Sequence, residues 1–133
     1  MSFRHNDLEH LERLLRNRDP GSPAAIVVDG VYSMQGHLAP LPSLVELKSR
    51  YGVRLIVDDA HGTGVFGPHG RGTAAHFGVE AEVDVQAGTF SKALATMGGF
   101  VAADRTLIEY LRFNAPTMLF TKAAPLAIVA ATL

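Results

Sequence analysis

Leu55-Ile56-Val57-Asp58-Asp59-Ala60-His61-Gly62-Thr63-Gly64 begins as a branched apolar run and breaks off in two acids, a histidine and glycines. Such a run reads as a buried parallel strand that delivers polar groups at its C-terminal end. Open α/β sheets place their ligands at those ends. Further on, Gly88-Thr89-Phe90-Ser91-Lys92 follows a second apolar strand, Val83 to Ala87. An acid, Asp58, and an amine, Lys92, at neighbouring strand ends make a candidate site. Asp58 and Asp59 are adjacent, so in regular strand geometry they point to opposite faces and at most one of them meets a given ligand.

Working outward, Ala24-Ala25-Ile26-Val27-Val28 is a further buried strand that ends near Asp29 and exits into the loop Gly30 to His37. Pro40 and Pro42 introduce a helix through about Arg50, and Tyr51-Gly52 ends it before the strand Val53 to Val57. Strand, loop, helix and strand form a βαβ crossover, which requires the two strands to be parallel. Before it, Leu8, Leu11, Leu14 and Leu15 predict a helix from about Asp7 to Arg18, with Asn6 as its cap and Glu9 completing a capping box. Asp19 to Pro23 is a turn cluster. After His61, glycines 62, 64, 67, 70 and 72 form a loop that folds tightly, without the spacing of a dinucleotide fingerprint. Arg71 within it reads as exposed or structurally paired, with an anion contact as the second reading. Gly98 to Ala103 is another strand and Thr106 to Phe113 another helix. Ala124 to Ala131 is a helix apolar on every side, which needs a partner surface to bury it. The fold class is α/β, a mostly parallel sheet flanked by helices.

With 133 residues, 47% hydrophobic and 19% charged, the chain has room for one modest core. The net charge of −1, with Lys and Arg scattered, argues against a nucleic-acid partner. No cysteine is present, which excludes disulfides and thiol chemistry in these residues and fits a cytoplasmic setting. No apolar run reaches the roughly 18 residues of a membrane span.

A lysine among small polar residues, a carboxylate at a neighbouring strand end and hydroxyls near both are what a pyridoxal phosphate site requires. The amine bonds the aldehyde, the carboxylate keeps the pyridine nitrogen protonated, and hydroxyls and backbone N–H groups hold the phosphate. Burial would favour the neutral, nucleophilic form of the amine.

Five segments carry a family resemblance, in order and in spacing: Asp29-Gly30-Val31-Tyr32-Ser33-Met34, Val57 to Gly64, Gly67-Pro68-His69-Gly70-Arg71-Gly72-Thr73, Gly88 to Lys92, and Gly98-Gly99-Phe100. Together they resemble the α-oxoamine synthases, fold-type I pyridoxal phosphate enzymes, and most of all the serine palmitoyltransferase and 8-amino-7-oxononanoate synthase branches. The resemblance implies that Lys92 holds the cofactor covalently and then shuttles a proton. Asp58 would pair with the pyridine nitrogen, His61 and Ser33 would sit at the ring's phenolic oxygen, and Thr89 and Ser91 would bind the phosphate. Thr121 resembles a phosphate ligand contributed by the neighbouring subunit of a homodimer. The implied reaction is a decarboxylative Claisen condensation of an amino acid with an acyl thioester, carried on coenzyme A or a carrier protein. Gln35 and His37 stand where the family often has an acid, and Lys122 and Ala123 depart from its small and hydroxyl residues. The resemblance covers the central part of the large domain, so residues 1–133 are expected to be a single partial domain with little or no turnover alone.

Two other readings are open to the same residues. A metal-dependent hydrolase would use Asp58, Asp59, His61 and His69 as ligands but leaves Lys92, Thr89 and Ser33 without a task. A non-catalytic fragment or interaction module would keep the sheet and dock to a partner. An acid box of the helicase kind is discarded because no phosphate loop accompanies it. His5, His10, His37, His69 and His76 show no ligand spacing and are expected to face solvent.

Overall fold

Four five-residue strands build one sheet, in the order in which they occur along the chain. They are β1 (Ala25–Asp29), β2 (Arg54–Asp58), β3 (Val85–Thr89) and β4 (Gly99–Ala103). The structure is a computed structural model and describes residues 1–19 and 21–133; Pro20, in the expected turn cluster, lies outside the described residues. β1 pairs with β2 and β2 with β3 in parallel, whereas β3 and β4 are antiparallel. Residues 90–98 are too few for a crossover, since parallel strands need a connection of about a dozen residues or more. The sheet is therefore mixed.

Helices α1 (Leu8–Arg16), α2 (Leu41–Tyr51) and α3 (Thr73–Phe77) accompany the first three strands, and α4 (Arg105–Asn114), α5 (Pro116–Leu119) and α6 (Leu126–Thr132) follow β4. The crossover through α2 is the one the sequence predicts, closed by Gly52 in the left-handed region at φ 61°. The cap of α1 differs from the expectation. Asp7 is the N-cap, and its carboxylate accepts from the His10 N–H, while Asn6 takes φ 52° and donates to the Leu38 carbonyl. The carboxylate one residue later satisfies the free helix donors and gains from the helix dipole. α3 and α5 were not expected, being too short to show an apolar period.

Burial alternates along the first two strands. Ile26, Val28, Leu55 and Val57 face a core with Leu11, Leu41, Leu44 and Leu47 from the helices. Each such side chain contributes about 1.5–3 kcal/mol relative to exposure. Ala25, Val27, Asp29, Ile56 and Asp58 lie on the opposite face, where Val27 is 61% exposed. Asp84 ties the entry to β3 to its neighbours. It meets the Lys48 ammonium at 2.7 Å and the Arg54 guanidinium at 2.7 Å, and accepts from the Leu55 N–H at 2.8 Å.

No residue of α4, α5 or α6 is buried, and Phe120 and Leu126 are 87% and 86% exposed. The apolar helix is thus present, and of its residues only Ile128 and Thr132 are half-buried, the Thr132 hydroxyl lying 3.0 Å from that of Thr96. No helix among the described residues is long and apolar enough to cross a membrane.

Candidate active site

The ladders place the strand ends in a row. Asp29 registers with Asp58, and Asp58 with Ala87. Two bonds carry the row past the strands: Gly30 N–H to the Asp58 carbonyl at 2.7 Å and Asp59 N–H to the Ala87 carbonyl at 2.8 Å. Residues paired across a sheet share a face, so Asp58, Ala87 and Thr89 all lie on the open one. Asp58 is exposed, and one of its carboxylate oxygens accepts from the Ala60 N–H at 3.0 Å. That local turn aims the acid and leaves its other oxygen to a ligand.

Asp59 goes the other way, as adjacent strand residues must. It is 0% exposed and accepts from the Thr73 N–H at 2.7 Å, the Thr73 hydroxyl at 2.8 Å and the Gln86 amide at 3.3 Å. Burial pushes its carboxyl above the ordinary range, with the nearby Asp58 charge acting the same way; the two Thr73 bonds oppose them.

Lys92 sits in the connection between β3 and β4. Its turn is closed by Phe90 N–H to the Gly98 carbonyl at 3.0 Å and Thr96 N–H to the Phe90 carbonyl at 2.9 Å, and Ala95 adopts φ 50°. The Thr89 hydroxyl lies 2.8 Å from that of Ser91, donates to the Gly98 carbonyl at 3.1 Å and accepts from the Ser91 N–H at 3.2 Å. The strand reaches further than the sequence suggests and takes in Thr89. Lys92 is exposed, so the burial that would favour its neutral amine is not found in this structure.

Two close approaches join this turn to the loop after β2. A Cβ on Gly64 would come within 2.7 Å of the Ala93 methyl, and one on Gly88 within 3.1 Å of the Thr63 hydroxyl. The Thr63 hydroxyl is buried with no hydrogen-bond partner. Gly64 takes φ 81°, which only glycine adopts cheaply. The segment carrying Asp58 and His61 is thereby packed against the turn carrying Lys92.

The remaining candidates are placed less tightly. Ser33 is exposed in the turn after β1, and His61 is half-buried in the turn after β2. Thr121 is exposed beyond α5, and its only hydrogen bond among the described residues is a long one to the Lys122 carbonyl, at 3.4 Å. Arg71 is paired with Glu80 at 3.0 Å, the structural reading of the two. No group of three or more His, Asp or Glu suited to a metal forms among the described residues, and Asp59 is already committed to Thr73. His5 and His37, expected simply to face solvent, are exposed but bonded to each other at 3.1 Å beside Tyr32. The sequence reading missed the roles of Thr73 and Gln86; only the glycines around Asp59 hinted at a crowded carboxylate.

The sequence model of the family described as aminotransferase class I and II matches residues 1–133. An α/β sheet with an acid and a lysine at adjacent strand ends is the class of site in view, and the chain belongs to the aminotransferase class I and II family. It is 50% identical over 133 residues to a serine palmitoyltransferase of Bacteroides thetaiotaomicron, covering 100% of this chain and 34% of that protein. To an 8-amino-7-oxononanoate synthase of Geobacter sulfurreducens it is 50% identical over 129 residues, covering 97% of this chain and 33% of the relative. A solved serine palmitoyltransferase with pyridoxal phosphate as its internal aldimine superposes with a TM-score of 0.92 at 38% identity, over 98% of this chain and 33% of that one. The chain thus spans about one third of the length of the relatives it matches.

Proposed function

We propose that this chain is part of the large domain of a pyridoxal phosphate-dependent α-oxoamine synthase, which condenses an amino acid with an acyl thioester. In that reaction the amino acid's α-carbon bonds the acyl carbon as the C–S bond breaks and the thiol leaves, and the carboxylate departs as carbon dioxide with a proton taking its place on the α-carbon. The observation that carries the reading is the packing of Gly64 against Ala93, which brings the Asp58 and His61 segment up to the Lys92 turn. The names of the relatives and the bound cofactor of the solved neighbour support it.

The donor set fits the cofactor. There is one amine for an aldehyde, one exposed carboxylate with a free oxygen for a protonated ring nitrogen, and two touching hydroxyls for a phosphate. Bound there, pyridoxal phosphate supplies an electron-withdrawing ring that stabilises negative charge on the substrate carbon. Lys92 would hold the cofactor covalently, and its Nζ would take up and return the substrate's α-proton. Asp58 keeps a proton on the ring nitrogen through ionic hydrogen bonding. His61 and Ser33 orient the phenolic oxygen. Thr89 and Ser91 bind the phosphate, the Ser91 hydroxyl being free to turn outward while Thr89 is anchored to Gly98. Thr121 serves the neighbouring subunit of a homodimer, whose contact covers the exposed side chains of α5 and α6. A cytoplasmic setting goes with this reading, and the thioester rides on coenzyme A or a carrier protein.

The test is to mix the 133-residue chain with pyridoxal phosphate, reduce with borohydride and locate the adduct by peptide mass. Modification confined to Lys92, and abolished by Lys92→Ala, is the expected result. Label spread over several lysines, or none, removes the cofactor assignment. In that event a non-catalytic interaction module, which the uncovered apolar side chains of α5 and α6 favour, becomes the reading to pursue.

A further inference from the structure

Four separate segments converge on the carboxylate of Asp59. Thr73, at the start of α3, supplies two donors and Gln86 of β3 a third. Gly30, in the exit from β1, has no room for a side chain, since a Cβ would fall 2.3 Å from Asp59 Oδ1. The same holds for Gly62 in the exit from β2, at 2.1 Å from Oδ1, and for Gly72 before α3, at 1.8 Å from Oδ2. The main chain of Asp59 is committed as well. Its N–H bonds the Ala87 carbonyl, and its own carbonyl accepts from the Gly62 and Thr63 N–H groups at 3.0 and 2.9 Å.

Every polar atom of this residue is therefore used, and its bonds tie the start of α3 to the exit from β2 and to β3, two segments that carry candidate site residues. The exit from β1, which carries Ser33, meets Asp59 through the close approach of Gly30. The exit from β2 carries Asp58 on one side of Asp59 and His61 on the other. Through Gln86 and Ala87 the bonds reach β3, which carries Thr89 and leads to Lys92. A buried carboxylate with three donors at 2.7–3.3 Å holds its position far more rigidly than a solvated turn does. A gap or shift there would be passed directly to Asp58, because the two residues share a peptide bond.

We propose that Asp59, gripped by Thr73 beneath the strand ends, is the positioning residue of this site: it touches no ligand but sets the path of the backbone that presents Asp58 and His61. This rests on the cofactor reading given above, and the experiment separates the two. In the wild-type chain, hydrogen exchange without cofactor should protect the Gly62 and Thr63 amides as strongly as those of β2, although they lie in a loop. Thr73→Val removes one donor at nearly constant volume and leaves Asp59 Oδ1 without its short bond. It should speed exchange at Gly62 and Thr63, and weaken pyridoxal phosphate binding by about tenfold, the worth of one charge-assisted hydrogen bond. Thr73→Ser keeps the hydroxyl and should restore both. A merely structural residue would lower the melting temperature and leave cofactor affinity unchanged in the folded fraction. Wild-type amides at Gly62 and Thr63 that exchange as fast as open loops would overturn the proposal whether or not the variants fold. So would a folded Thr73→Val chain with wild-type exchange and affinity. If the wild-type chain fails to bind pyridoxal phosphate at Lys92 while the exchange results come out as expected, the cofactor reading falls and the clamp stands.

Discussion

At Gly64 a single hydrogen atom separates two parts of the site. The residue has φ 81° and its missing methyl would stand 2.7 Å from that of Ala93. Gly64→Ala therefore combines backbone strain with overpacking, for a cost of about 1–3 kcal/mol. A lowered urea midpoint should accompany loss of selective trapping at Lys92; trapping that survives unchanged would mean the loop and the turn are independent. Asp58→Asn tests the partner residue. It keeps the bond to the Ala60 N–H but removes the charge that the proposed function pairs with the ring nitrogen, so borohydride should still find Lys92 while affinity for the cofactor falls by about tenfold. The opposite orientations of Asp58 and Asp59 were legible in the sequence, because strand periodicity alone requires them. Which of the two would be buried was not, since that depends on Thr73, fourteen residues away along the chain and brought back by the glycine loop. The Asn6 and Asp7 reversal has the same character: either residue can cap, and only the tertiary bond from Asn6 to Leu38 decides.

Among the elements, α2, β2 and the entry to β3 are held together at Asp84, whose side chain is 13% exposed. Burial alone would raise its carboxyl. The Lys48 ammonium, the Leu55 N–H and the Arg54 guanidinium outweigh that and hold it below the ordinary range. A depressed folded-state value means that the stabilisation is complete above the unfolded value of about pH 4 and is lost as pH falls through the folded one. Asp84→Asn should cost about 1–3 kcal/mol at pH 7. In urea titrations the gap between wild type and variant should narrow below pH 4, and a gap that stays constant into acid would remove this role. The strands, α1, α2 and α4 were legible because each is long enough to show its period or is bounded by Gly and Pro. β3 was set two residues early, since Gly88 and Thr89 have the composition of a turn and are drawn into the ladder only by pairing with β4.

On the scale of the whole molecule, the buried residues sit with the first three helices, and the other face of the sheet and the last three helices remain open. Amides of α2, β1 and β2 should outlast those of α4 to α6 in hydrogen exchange by orders of magnitude. If a second copy covers the open segments, sedimentation should give a mass above 14.2 kDa that Phe120→Ser with Leu126→Ser returns to the monomer value. The connection between β3 and β4 has a kinetic consequence. Lys92 lies on a hairpin whose two strands are close in sequence, whereas Asp58 reaches its register only after long crossovers have closed. Local hairpins form in about 1–10 μs, and pairings between distant segments come later. The lysine turn is then expected to form before the acid arrives beside it, with the β2 exit docking in refolding onto a turn already made.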